Sequence, residues 1–425
     1  MSALTLSGPE AATARAKALL PRQAVILCGG LGTRLGPLTA TCPKPLLPVG
    51  GVPFLAVLIG ELARQGVERV LLLAAFEAGR VEDFTRDLPA TLPRPVEIEV
   101  AREARPAGTS GALWQARDRL EDRFLLLNGD SWFDILLADV AAAQSARPGV
   151  LGALALRRVA DGGRFGTVRV ADGMLTAFAA RGAETGPALI NGGVYCLSRG
   201  IVSHLVEDGS LEAEVLPRLA AEGRLAAVER TGFFLDIGVP GDLAAAQTLV
   251  PAQRRRPAIV FDRDGVLNID HGHVGHPDRL DWTEGAIAAV RRVNAAGWYA
   301  FVATNQAGIA KGYYTEADYL ALRAHMARDL AAAGAHIDDE RYCPTHPQAV
   351  HPELRQVSDR RKPGPGMLLE LKHRWPVDWA QSVMIGDKPT DIEAARAAGL
   401  EAVLFQGGDL DALVERLLRD RKGKP

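Results

Sequence analysis

Short continuous apolar runs alternate along this chain with stretches whose apolar residues recur every three to four positions. Ala24–Leu27, Arg69–Ala74, Phe124–Leu127 and Val150–Leu156 are runs of the first kind, and they predict strands buried on both faces. Phe54–Gln65 and Thr109–Arg119 carry helical spacing. The alternation predicts a mostly parallel sheet with helices on both faces. Over residues 157–240 glycines and turn residues break the rhythm, which predicts a mixed sheet or an inserted subregion. Residues 1–22 read as an N-terminal extension, Ala-rich and compatible with helix.

Pro251–Pro257 has the composition of a linker, and its arginines Arg254–Arg256 read as solvated rather than as a nucleic-acid patch. A second cycle starts directly after it. Strands are expected at Ala258–Phe261, Tyr299–Ala303, Ser382–Ile385 and Ala402–Phe405, with helices at Gly285–Ala296, Glu316–Ala333 and Ile392–Ala398. The fold class is therefore α/β, with two Rossmann-like three-layer domains over 23–250 and 258–425, joined by a linker at 251–257.

Bulk composition narrows the function classes. The chain has 425 residues, of which 48% are hydrophobic and 24% charged, as in packed globular domains. A net charge of -2 favours no polyanionic partner, so no nucleic acid is expected. Cys28, Cys42, Cys196 and Cys343 are scattered with no CxxC pair, which argues against a disulfide scaffold and for a reducing compartment. No apolar run reaches the length of a membrane span, and no basic stretch followed by an apolar one opens the chain. A cytoplasmic protein with no membrane partner is the expectation.

Chemistry concentrates where strands end. After the first strand comes Cys28-Gly29-Gly30-Leu31-Gly32-Thr33-Arg34-Leu35, followed by Pro43-Lys44-Pro45. Glycines let backbone N–H groups approach phosphate oxygens, and Arg34 and Lys44 supply fixed positive charge against a triphosphate. The loop lacks the ending of a P-loop, and Leu35 stands where a dinucleotide fingerprint has its third glycine.

The string from Gly29 through Leu55 resembles the sugar-1-phosphate nucleotidyltransferases, over about residues 23–248. Pro106–Leu113 resembles that family's second glycine loop, and Leu127–Asp130 its metal-holding strand end. Leu189–Tyr195 resembles the sugar segment, and Phe234–Gly238 carries the second metal aspartate. The resemblance implies nucleotide binding by Gly29, Gly30, Gly32, Thr33, Gly108 and Thr109, and catalysis by Arg34 and Lys44. It implies sugar-phosphate binding by Asn191, Gly192 and Arg181, and Mg²⁺ on Asp130 and Asp236. Within the family the wording is most similar to guanylyltransferases acting on heptose or mannose 1-phosphates. The chemistry suits these residues: an anionic sugar phosphate attacks the α-phosphorus, so positioning and charge neutralisation are needed rather than a general base. One departure stands out. The family's Glu-Lys pair ahead of the sugar segment is replaced by Ala180-Arg181.

In the second half Asp262 and Asp264 flank one residue at a strand end, a spacing that suits a nucleophile and an acid/base. Mg²⁺ on Asp262 and Asp387, with Asp264 alongside, would relieve their repulsion. Thr304 can donate to a phosphate and Lys362 can neutralise it. DxDG, then Thr304-Asn305-Gln306, then Arg361-Lys362-Pro363, then Gly386-Asp387 with Asp391 resembles the haloacid dehalogenase superfamily of phosphatases. The resemblance implies phosphate binding by Thr304, Asn305, Arg361 and Lys362. Asp262–Gly272, Thr304–Gly312, Cys343–Pro347 and Arg360–Met367 narrow it to the D,D-heptose 1,7-bisphosphate phosphatases, which implies a minimal cap. That family commonly holds a structural zinc through Cys-x-His and Cys-x-Cys. Here Thr345, Ser358 and Arg360 occupy the partner positions, so structural zinc is not expected.

Together the resemblances imply a bifunctional enzyme using heptose phosphates and an NTP, with GTP implied by family similarity alone. Mannose 1-phosphate or histidinol phosphate as substrates, and a non-catalytic sugar-nucleotide sensor in the first domain, are the competing readings.

Overall fold

The computed structural model describes residues 18–30, 32–88, 92–163, 166–180, 182 and 186–421. Most of the Ala-rich extension, and Arg181, lie outside the described residues.

The N-terminal half builds β1 (Gln23–Leu27), β2 (Pro48–Val49), β3 (Val52–Pro53), β4 (Arg69–Ala74), β5 (Glu97–Arg102), β6 (Arg123–Asn128) and β7 (Ser131–Asp134). It continues with β8 (Gly152–Val159), β9 (Thr167–Ala171), β10 (Met174–Ala179), β11 (Ala188–Ser198), β12 (Leu225–Arg230) and β13 (Phe233–Asp236). Nine of these form one sheet in the order β5-β4-β1-β6-β11-β8-β12-β10-β9. Strands β1, β4, β5 and β6 run parallel, and β11 lies antiparallel to both β6 and β8. The mixed sheet is the one that the broken rhythm of residues 157–240 predicts.

The continuous apolar runs are explained by burial on two faces. Ala24, Ile26, Leu72 and Leu125 enter one core while Val25, Leu71 and Leu126 enter the other. The C-terminal half repeats the plan with β14 (Ala258–Phe261), β15 (Tyr299–Asn305), β16 (Asp339–Cys343), β17 (Val383–Gly386) and β18 (Glu401–Leu404). These form an all-parallel sheet ordered β16-β15-β14-β17-β18. Ile259 and Phe261 face one core, Ala258 and Val260 the other. Between β14 and the helix Ala286–Ala295, and between β16 and the helix Gly366–Arg374, the regular helix is confined to 3-10 turns at Pro277–Arg279 and Pro352–Leu354. A lid domain is therefore absent among the described residues, as the minimal-cap expectation has it.

Two local expectations change. The helix expected over Thr109–Arg119 is Gly108–Gln115 followed by a 3-10 turn at Arg117–Arg119. The linker reading is corrected more substantially. The helix Pro240–Arg254 runs through Pro251 and takes in the first four residues of the expected linker. Arg256, expected to be solvated, is 2% exposed, and its guanidinium lies 2.9 Å from Glu61 and 3.2 Å from Asp134. Partners far away in sequence bury this charge, and a linker composition gives no sign of them.

Arg256 belongs to a polar seam between the two halves. Arg64 meets Asp338 at 3.0 Å, Arg291 meets Asp139 at 2.5 Å, and the Leu19 N–H donates to the Ala331 carbonyl at 3.1 Å. Arg94 donates to the Ile337 carbonyl. Leu19, Arg94, Arg256 and Asp338 each stand ahead of a strand: β1, β5, β14 and β16 respectively. The halves therefore meet at the amino ends of their parallel strands, and the carboxyl ends point away from the seam.

Candidate active sites

Ligands of α/β sheets bind beyond the carboxyl ends of strands. The first such end holds the loop after β1. Gly32 adopts φ 61°, a left-handed conformation that favours glycine, and it opens a 3-10 turn over Thr33–Thr39. The Thr39 hydroxyl closes the turn by donating to the Gly32 carbonyl at 3.0 Å.

Four charged side chains converge near Gly238. Lys44 is buried, with Nζ 2.5 Å from Asp130 Oδ2 and 3.9 Å from Asp236 Oδ1. A Cβ on Gly238 would lie 2.6 Å from Asp236 Oδ1, 3.1 Å from Lys44 Nζ and 3.2 Å from the Arg34 guanidinium. Asp130 and Asp236 are distant in sequence, and the antiparallel pairing of β13 with β7 brings them together by setting Asp236 opposite Ser131. Burial, with the charge of Asp130 next, pushes the Asp236 carboxyl above its usual value; Lys44 opposes the shift. Two facing carboxylates and one lysine make a site whose donor set suits a hard divalent cation.

The second glycine loop has a packing role as well. A Cβ on Gly108, at φ 72°, would stand 2.3 Å from the Gly209 carbonyl oxygen, and Thr109 Oγ1 accepts from the Leu211 N–H at 2.8 Å. Gly108 and Thr109 thus hold the segment 207–211 against the start of the helix Gly108–Gln115. Motif reading missed Glu103. It follows β5, and its Oε1 would lie 2.3 Å from a Cβ on Gly29. Burial raises its carboxyl, offset by an accepted backbone bond at Ala107. Its signal was an acid one residue past a strand end and three before Pro106.

In the sugar segment β11 carries an irregularity between Asn191 and Tyr195. Asn191 Oδ1 accepts from the Gly193 N–H at 3.0 Å, and its Nδ2 donates to the Tyr195 hydroxyl at 2.6 Å. Gly192 leaves room for Phe133, whose ring would come within 2.5 Å of an added Cβ.

The second site lies beyond β14, β15 and β17. Asp262, Asp387 and Asp391 offer carboxylate oxygens within 4.8 Å of one another, the group of three among the described residues with metal-ligating reach. Lys362 is 3% exposed and sits 3.0 Å from Asp262 Oδ1 and 2.6 Å from Asp391 Oδ1. Burial pushes the Asp262 carboxyl up to about 7; Asp391 and Asp264 add to this while Lys362 opposes it. With Asp270, which shares Lys388 with Asp387, four carboxylates face two lysines here, Lys362 and Lys388, and negative charge is in excess. Asp387 Oδ1 is buried without a hydrogen-bond partner. Both observations fit a divalent cation at this cluster. Gly265, at φ 86°, permits the turn, because a Cβ there would meet Asp387 Oδ2 at 2.2 Å.

Asp264, expected among the metal ligands, is placed differently. Arg263 holds it at 2.7 Å, Asn268 donates to its Oδ1 and Gln306 to its Oδ2, each at 3.1 Å. The group of three with metal-ligating reach includes Asp391 and not Asp264, whose carboxylate is held by these three donors. Asn305 is tied to the lysine. Its amide exchanges two 3.0 Å hydrogen bonds with the backbone of Lys362, so it positions the lysine. Thr304 is buried and accepts from Gln306 at 2.8 Å, which leaves its own proton free to donate. Arg361 carries a buried Nη1 with no hydrogen-bond partner, and burial lowers its pKa. Nearby, Cys343 Sγ lies 3.2 Å from Thr345 Oγ1, and Ser358 Oγ accepts from the Arg360 N–H at 3.2 Å.

Two α/β domains, each gathering acids and a buried lysine at the carboxyl ends of its strands, define a phosphate-transfer enzyme in duplicate. The chain belongs to the nucleotidyl transferase family, whose model matches residues 23–253, and also to the family of heptose bisphosphate phosphatases, with a HAD-hydrolase-like model matching residues 359–420. It is 47% identical over 164 residues to a D-glycero-β-D-manno-heptose-1,7-bisphosphate 7-phosphatase of Rhodopseudomonas palustris, covering 39% of this chain and 91% of that protein. It is 45% identical over 144 residues to the Escherichia coli enzyme of the same name, covering 34% and 75% respectively. Among solved structures it is similar to HddC of Yersinia pseudotuberculosis, at 28% identity and a TM-score of 0.47, over 54% of this chain and 99% of that one. Among the described residues no helix is long and apolar enough to cross a membrane.

Proposed function

We propose that the chain performs two consecutive steps of nucleotide-activated heptose synthesis. The C-terminal domain removes the 7-phosphate from D-glycero-D-manno-heptose 1,7-bisphosphate, and the N-terminal domain transfers a nucleotidyl group to the resulting 1-phosphate. The observation that supports this reading is that each of the two domains gathers carboxylates around a buried lysine at the carboxyl ends of its strands. The names of the phosphatase relatives supply the sugar.

In the phosphatase step Asp262 attacks the 7-phosphorus and forms an aspartyl phosphate while the C–O–P bond to the sugar breaks at phosphorus. Asp264, oriented by Arg263, Asn268 and Gln306, gives its proton to the leaving alkoxide. It then takes a proton from the water that releases phosphate and regenerates Asp262. Lys362, Thr304 and Arg361 hold the phosphoryl oxygens. Asp262, Asp387 and Asp391 would hold Mg²⁺, which would supply charge neutralisation for the anionic phosphorus centre.

In the transfer step the 1-phosphate oxygen attacks the α-phosphorus of the NTP and pyrophosphate leaves. Arg34 and Lys44 neutralise the charge on the phosphates. Asp130 and Asp236 would hold Mg²⁺, and the glycine loop supplies N–H donors. Glu103 supports GTP as the nucleotide. A carboxylate over the glycine loop is an acceptor pair, and guanine presents two adjacent N–H donors, at N1 and N2, on one edge. Uracil sets an acceptor on each side of its single N–H, so the same carboxylate repels it.

Release of phosphate and pyrophosphate from one reaction containing the bisphosphate, Mg²⁺ and GTP tests the reading. Equal amounts are expected at completion. Phosphate alone would remove the transfer step from the account, and neither product would remove the heptose assignment.

A further inference from the structure

Ala180 stands where the resembled family has a glutamate ahead of the sugar segment, so an acceptor for the sugar hydroxyls has to come from elsewhere in the cleft. Glu212 has the geometry for it. It lies on the π-helical turn Leu211–Val215, far from any motif, and its Oε1 is approached from three directions. The Tyr195 hydroxyl donates to it at 2.8 Å, and Asn191 Nδ2 and Asn128 Nδ2 donate at 3.3 Å each. Tyr195 is fully buried and Asn191 locks it in turn at 2.6 Å, so these donors are fixed in place.

Every one of these bonds reaches Oε1, and none among the described residues reaches Oε2. The carboxylate is solvent-accessible. It is therefore a preorganised acceptor with one oxygen left for a ligand. Its charge decides which part of the ligand that is. A carboxylate repels phosphate and strengthens hydrogen bonds from hydroxyls. Asn128 ties it to the strand end that carries Asp130, and Asn191 ties it to the sugar segment, so it borders the sugar side of the cleft.

We infer that Glu212 is the residue through which the N-terminal domain selects its sugar, accepting hydrogen bonds from ring hydroxyls of the sugar 1-phosphate. This rests on the nucleotidyl transfer reading for its role in turnover, and on binding alone for its test. A purely structural Glu212 would pin the turn to β11 and nothing more.

Mannose 1-phosphate and heptose 1-phosphate, titrated calorimetrically into the full-length wild type and Glu212→Gln, separate the two. The amide keeps size and one acceptor but loses the charge. The expected result is a roughly 10- to 100-fold weaker affinity for at least one sugar phosphate, the range for a lost hydrogen bond to a charged group. GTP affinity, thermal midpoint and phosphate release stay at wild-type values. A deoxy analogue lacking the contacted hydroxyl binds the wild type more weakly but costs the variant nothing further. Unchanged sugar-phosphate affinity in Glu212→Gln overturns the inference, as does an equal loss for GTP, a lowered thermal midpoint with no loss of affinity, or a wild type that binds neither sugar phosphate. Binding lost in the variant while the wild type makes no sugar nucleotide would instead sink the transfer step and leave Glu212 as the selector.

Discussion

Replacing Arg64 with Met tests the seam between the domains. The Arg64 side chain is 4% exposed, and Asp338, 3.0 Å away, is fully buried. Removing one partner of such a pair strands the other charge, at a cost of about 3–5 kcal/mol. Asp338 keeps the Ala300 N–H at 2.7 Å and the His336 ring at 3.4 Å, which places the expected loss near about 3 kcal/mol, at the lower end of that range. For domains of this size that corresponds to a thermal midpoint lowered by roughly 6–12 °C. The loss also depends on pH. Burial pushes the Asp338 carboxyl up, but Arg64 and then His336 outweigh it and hold the carboxyl well below its usual range. A depressed carboxyl contributes stability that is present above the unfolded pKa of about 4 and is lost as pH falls through the folded value. The difference between wild type and Arg64→Met is therefore largest near neutrality and shrinks in acid. Urea titrations followed by circular dichroism at neutral pH and in acid measure it. Because the catalytic ends face away from the seam, both activities persist in the folded variant. The double variant Arg64→Met/Asp338→Asn regains part of the loss, since the amide removes the stranded charge while its oxygen still accepts the Ala300 N–H. A single variant within about 1 kcal/mol of wild type, or a double variant no better than the single, would refute this account of the interface.

Asp262→Asn removes the attacking carboxylate; phosphate release falls by at least about a thousandfold while GDP-heptose formation from supplied heptose 1-phosphate is unchanged, as separate phosphate and pyrophosphate assays will read. Lys44→Met does the reverse, lowering transfer by about 100- to 1000-fold. Mixed together these two variants make sugar nucleotide from the bisphosphate at the rate set by their individual active sites, because sites facing opposite ways exchange the intermediate through solvent; a mixture markedly slower than the wild type at equal site concentration would argue for direct transfer. Glu103→Gln narrows the preference for GTP over the other three NTPs by about tenfold or more in kcat/KM, measured in competition, and an unchanged preference would remove Glu103 from base recognition.

Much of the fold was legible because strands buried on both faces leave a continuous apolar signature, as in Phe124–Leu127 and Ala258–Phe261. The mixed portion of the first sheet was legible only as irregularity, since β11 is defined by partners on either side rather than by its own rhythm. Arg256 shows where local reading fails. Between prolines it has the composition of a solvated linker, and only Glu61 and Asp134 make its burial tolerable. The sites divide along the same line. Residues at strand ends beside glycines, such as Asp130, Asp262 and Lys44, stand in strings whose chemistry is local. Asp391 and not Asp264 falls in the candidate metal cluster, the latter being held by three donors, and Asn305 is tied to Lys362. Glu103 and Glu212 were not singled out because their meaning comes from what folds against them.

The central claim is that one chain turns a heptose bisphosphate into a sugar nucleotide. Mass spectrometry of products from the purified protein, with Mg²⁺, pyrophosphatase, all four NTPs in competition and the α- and β-heptose 1,7-bisphosphates in separate reactions, tests it most directly. The account predicts GDP-heptose, with the α-anomer favoured by the guanylyltransferase resemblance and the β-anomer by the names of the phosphatase relatives. Heptose 1-phosphate without any sugar nucleotide from either anomer would contradict the claim that both domains act in sequence, and no phosphate release from either would contradict the heptose assignment.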